Sequence, residues 1–64
     1  MIINGKKRDF PDGTSVLDML RELSLDVEKV VVEVNASIIE KTMFSDHKLS
    51  SGDKIEIIAF VGGG

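Results

Sequence analysis

The chain is 64 residues long, has no cysteine, and carries 11 acidic against 8 basic residues for a net charge of -3. That length admits one domain, near the lower limit at which a single hydrophobic core holds without staples. The missing cysteine excludes disulfides, thiolate metal sites and a cysteine nucleophile, and the acidic balance lacks the basic footprint that phosphate backbones select, so nucleic acid is not an expected partner.

In chain order, residues 1–4 open with the apolar Met1-Ile2-Ile3 and run into Asn4-Gly5, a strong hairpin signal, after which residues 6–10 return as a second strand. The basic triplet Lys6-Lys7-Arg8 is followed at once by Asp9 and reads as a solvated strand. Met1-Ile2-Ile3-Asn4 lacks the charged region and long apolar stretch of a signal peptide, and no apolar run approaches membrane-spanning length. The expectation is a cytoplasmic protein with no membrane partner. Pro11-Asp12-Gly13 fits a turn out of the sheet. Thr14 or Ser15 then caps a helix of about ten residues that ends near Ser24, with Val16, Leu17, Leu20 and Leu23 at helical spacing and Met19 at the margin. Leu25 and Val27 continue its apolar contact. Val30-Val31-Val32-Glu33-Val34 is β-branched and reads as a buried strand, closed by a turn at Asn35-Ala36-Ser37, with Ile38-Ile39 opening a short strand. Residues 42–49 have no clean period and read as a loop or 3₁₀ turn pinned by Phe44 and Leu49. Residues 50–53 form a turn, and residues 54–60 alternate as the last strand.

The order β-β-α-β-β-β predicts an α+β domain in which one helix packs across a mixed sheet of about five strands. It is the order of a ubiquitin-like β-grasp, spanning residues 1–61, with residues 62–64 as a flexible glycine tail.

Enzymatic chemistry needs a nucleophile with a base, a metal cluster or paired carboxylates, and the sequence offers none of them. His47 is the one histidine, beside Asp46, and the acidic residues fall on separate elements without metal-loop spacing. No catalytic residue, metal site or bound cofactor is expected. The glycines of Gly62-Gly63-Gly64 stand out because they pack nothing and are costly to order. Without a Cβ near the carboxylate, such an end can thread a narrow channel in another protein.

The chain resembles the ThiS-like sulfur carriers of bacterial thiamin biosynthesis over its whole length. The resemblance rests on Ile3-Asn4-Gly5, on residues 30–35 followed by Ile38-Ile39, on residues 52–57, and most of all on the ending Phe60-Val61-Gly62-Gly63-Gly64. Ala36 departs from it, since the family often has glycine there. The resemblance implies a protein co-substrate whose Gly64 carboxylate is adenylated with ATP by a ThiF-like enzyme of the ubiquitin-activating type. Sulfur from a cysteine desulfurase or another persulfide donor then gives a thiocarboxylate, which serves a ThiG-like thiazole synthase. Gly62 and Gly63 deliver Gly64. The rival readings are a small subunit of molybdopterin synthase, a lysine-conjugated modifier, and a β-grasp protein-binding module.

Strand alternation adds an expected docking surface. With Ile55, Ile57 and Ala59 inward, Ile58 and Phe60 face outward, and the same parity turns Ile2 and Val31 outward. These four are expected to form one exposed apolar patch near the tail, for a partner to grip.

Overall fold

The computed structural model describes residues 1–60, and tight turns at asparagine fix the register of both hairpins in its sheet. Strands β1 (Ile2–Ile3) and β2 (Lys6–Lys7) are joined by Asn4-Gly5, with φ of +50° and +80°. Strands β3 (Val30–Val34) and β4 (Ser37–Ile39) are joined by Asn35-Ala36, with φ of +51° and +71°. Two central residues at positive φ make type I′ turns, whose twist matches that of the flanking strands. The pairs that close them are Ile3 with Lys6 and Val34 with Ser37.

Strand β5 (Lys54–Ala59) lies at the centre of the five-stranded order β2-β1-β5-β3-β4. It runs parallel to β1 and antiparallel to β3. Helix α1 (Val16–Glu22) and short 3₁₀ turns at Val27–Lys29 and Lys41–Met43 complete the described chain. This is the β-grasp arrangement that the element order predicts.

Helix α1 begins at Ser15, whose hydroxyl accepts from the Asp18 N–H at 3.0 Å. Two further amides of its first turn donate to the segment that follows β4: Val16 N–H to the His47 carbonyl and Leu17 N–H to that of Phe44. The segment thus satisfies helix donors that would otherwise have no partner, and it drives Phe44 and Leu49 into the core. The helix is shorter than its apolar spacing suggests. Ser24 takes a φ of +57°, Ser24 N–H donates to the Arg21 carbonyl and Leu25 N–H to that of Leu20. That pair of bonds is a Schellman ending, usually built on glycine.

Met19 is fully buried rather than marginal, because Val16, Met19 and Leu20 form the stripe that faces the sheet while Leu17 and Leu23 flank it half-buried. From the sheet, Ile3, Val30, Val32, Val34, Ile55 and Ile57 meet that stripe. Ala59, expected inward, is exposed. It sits at the last rung of the β3/β5 ladder, opposite Val30, and the core along β5 stops at Ile57.

Candidate functional site

Strand β5 ends at Ala59 and the described chain at Phe60, so the face and edge of these residues are the last described part of the chain before the glycines. Gly62, Gly63 and Gly64, together with Val61, lie outside the described residues.

On the face turned away from α1, parity holds: Ile2, Ile58 and Phe60 are 45%, 53% and 57% exposed, and Val31 is half-buried. Register, however, divides them. Val31 is directly opposite Ile58, and the Phe60 N–H donates to the Lys29 carbonyl at 2.7 Å, so these three apolar residues gather at the tail-proximal end of β5. Ile2 is opposite Lys54 on one side and Lys7 on the other. Lys54 and Ile58 are four residues apart, about 13 Å at strand spacing, and the facing carboxylates Glu33 and Glu56 form the rung between them. The four residues therefore share a face without forming one patch. The reason is directional: β1 runs parallel to β5 and reaches only Lys54 and Ile55, whereas β3 runs antiparallel along its length.

Ile38, absent from the expected set, belongs to this face. It lies opposite Glu33 on the edge strand and is 67% exposed. The signal was present in the sequence, because a two-residue turn at Asn35-Ala36 pairs Glu33 with Ile38 and gives both the same parity.

The two turn asparagines reach β5 with their side chains. Asn35 Oδ1 accepts from the Lys54 N–H at 3.0 Å and its Nδ2 donates to the Asp53 carboxylate at 3.0 Å. Asn4 Oδ1 accepts from the Ile57 N–H at 2.7 Å and its Nδ2 donates to the Ile57 carbonyl at 3.1 Å. Sequence reasoning assigned Asn4 to its turn and missed this contact across 53 positions, since no local pattern marks it.

Elsewhere the ionisable residues have structural surroundings. His47 is half-buried, donates its backbone N–H to the Met43 carbonyl and accepts from α1. The single ion pair among the described residues, Lys41 with Glu28, is an exposed one at 3.7 Å. Among the described residues, no three His, Cys, Asp or Glu side chains lie together as a metal site would need, and no helix is long and apolar enough to cross a membrane.

Comparison with known proteins places this geometry. The model of the ThiS family matches residues 1–64. The sulfur carrier protein ThiS of Bacillus subtilis is 38% identical over 63 residues, covering 97% of this chain and 96% of that protein. A crystal structure of the thiamine biosynthesis protein ThiS from Geobacter metallireducens superposes with a TM-score of 0.79 at 32% identity, covering 98% of this chain and 96% of the other. A thiazole synthase of Paramagnetospirillum magneticum is 42% identical over all 64 residues, and the chain spans only 20% of its length. With a β-grasp sheet, an end-to-end family match and a full-length likeness to a sulfur carrier, the chain belongs to the ThiS family.

Proposed function

We propose that this chain is a sulfur carrier for formation of the thiamin thiazole, acting through the carboxylate of Gly64. The observation that supports it best is the match to the ThiS family, which runs through residue 64 and so includes the terminal glycines. In this reading an adenylating enzyme of the ubiquitin-activating type joins the Gly64 carboxylate to the α-phosphate of ATP and releases pyrophosphate. The carboxylate oxygen now leaves as AMP when the terminal sulfur of a persulfide attacks the acyl carbon. Cleavage of the resulting sulfur–sulfur bond by a thiol releases the thiocarboxylate, which passes its sulfur to a thiazole synthase. ATP is the partner's substrate, and the carrier is a co-substrate that works in the cytoplasm.

The thiazole synthase assignment draws on the relative of that name, one segment of which is similar to this whole chain. The apolar end of the outward face, with Val31, Ile58 and Phe60, is the surface proposed for partner docking. Apolar residues grouped beside a reactive segment offer dehydration energy to whatever binds there.

Intact-mass spectrometry tests the reading. After incubation with the adenylating enzyme, ATP and a persulfide source, the chain is expected to gain the mass difference of one oxygen replaced by sulfur. A chain lacking Gly64 is expected to gain nothing. An unchanged mass in the full-length protein, or a conjugate to lysine in place of the sulfur adduct, refutes the carrier assignment.

A further inference from the structure

We propose that Asn4 is a positioning residue for the C-terminal segment: its carboxamide adds a side-chain rung to the parallel β1/β5 ladder at Ile57. It thereby fixes the part of β5 that presents Ile58, Phe60 and the glycines to the activating enzyme. The inference rests on the reading of Gly64 as the reacting group.

The ladder between β1 and β5 has a regular step. Ile2 N–H donates to the Asp53 carbonyl at 3.0 Å and Asn4 N–H to the Ile55 carbonyl at 2.9 Å. Were β1 to continue, the carbonyl of residue 4 would accept from the Ile57 N–H, and the N–H of residue 6 would donate to the Ile57 carbonyl. The chain instead turns at Asn4-Gly5, and Lys6 pairs back onto β1. A single carboxamide supplies both missing halves, with Oδ1 on the Ile57 N–H at 2.7 Å and Nδ2 on its carbonyl at 3.1 Å.

Few side chains suit that task. The residue must accept a φ of +50° and must also present one donor and one acceptor at peptide spacing. Aspartate lacks the donor, glycine lacks both groups, and glutamine is a methylene longer.

The place of the rung ties it to function. Up to Ile57, β5 is held from both sides. Beyond it, among the described residues, the strand is paired on the β3 side alone, through Ile58 with Val31, Ala59 with Val30 and the Phe60 amide with Lys29. The Asn4 carboxamide is thus the last hold from the β1 side before the apolar end and the glycine segment. Asn35 is its counterpart at the opposite end of β5, with a φ of +51° and a similar bond to the Lys54 amide. It is a matched control that lies far from the segment.

The test compares Asn4→Gly with Asn35→Gly, since glycine keeps both turns at positive φ and removes only the side-chain bonds. Amide hydrogen exchange is followed at Ile57, Ile58 and Phe60. In parallel, KM and kcat for each carrier are measured by pyrophosphate exchange with the adenylating enzyme and ATP. Losing two bonds of ordinary strength predicts an increase of about tenfold in exchange at these amides and in KM for Asn4→Gly, with kcat little changed. Asn35→Gly is expected to stay within about twofold on both measures, as a tail-remote loss of similar size should. Asn4→Asp, which keeps the acceptor, should fall between Asn4→Gly and wild type, and it carries the comparison should the glycine variant not fold. A wild-type KM in Asn4→Gly and Asn4→Asp, or an equal rise in Asn35→Gly, overturns the positioning role and leaves the carrier reading standing. A wild-type chain that is never activated overturns the carrier reading itself.

Discussion

The two alanines of this chain, Ala36 and Ala59, are expected to respond to glycine with opposite signs. Ala36 is exposed and holds a φ of +71° at the second central position of the β3–β4 turn. An L-residue there strains its Cβ against the backbone by about 1–2 kcal/mol, a strain that glycine lacks. Against this, glycine adds freedom to the unfolded chain worth about 0.4–1 kcal/mol. No buried methyl is lost, so Ala36→Gly is expected to stabilise the domain by about 1 kcal/mol. A domain of this size has a total stability of roughly 3–10 kcal/mol, and the change corresponds to a rise in Tm of about 4–8 °C. Ala59 ends β5 without a positive φ, so Ala59→Gly should cost about 0.5–1 kcal/mol. The chain has neither Trp nor Tyr, so far-UV circular dichroism during heating and urea titration is the suitable readout. The reasoning is refuted if Ala36→Gly leaves Tm and the urea midpoint unchanged or lowers them, or if both glycine variants shift in the same direction.

The same strain exists at Ser24, which occupies the left-handed position of the Schellman ending with a φ of +57°. Ser24→Gly should add about 1 kcal/mol in the same melts, and its effect should sum with that of Ala36→Gly because the two turns share no hydrogen-bond partner. On the outward face, Ile58→Asp and Phe60→Asp are each expected to raise the carrier's KM in adenylation by tenfold or more while leaving the melting curve near wild type. Ile2→Asp, about 13 Å away along the strand direction, should change KM by less than about threefold. Equal effects at Ile2 and Ile58 would show that the face acts as a single surface despite the carboxylates between them.

Much of the fold was legible because each element carries its own chemistry. Asn4-Gly5 and Asn35-Ala36 fix two hairpins, Ser15 caps the helix, and the alternation in residues 54–58 assigns a face to each side chain. Ser24 was legible only as a boundary, since serine does not announce a left-handed conformation. Met19 was misjudged for a related reason. Met19 lies at the edge of the helical stripe, where spacing alone assigns no side, and part of the core it joins, Phe44 and Leu49, comes from a segment with no period of its own.

Parity and register contain different information, and the candidate site turns on that difference. Parity is local, so it placed Ile2, Val31, Ile58 and Phe60 on one face. Register depends on which strand ends meet, and that is decided by contacts more than 50 residues apart in the β1/β5 ladder. A parallel β1 that turns back after two paired residues can bring Ile2 only to the beginning of β5, and an antiparallel β3 necessarily brings Val31 to its end. Once β1 has turned away, the tail-proximal half of β5 would have lost its neighbour one rung earlier but for the Asn4 carboxamide. The residue that takes the positive φ of the hairpin turn is therefore also the one whose side chain sets where two-sided pairing of the central strand ends, and only a structure that joins residue 4 to residue 57 can reveal the second role.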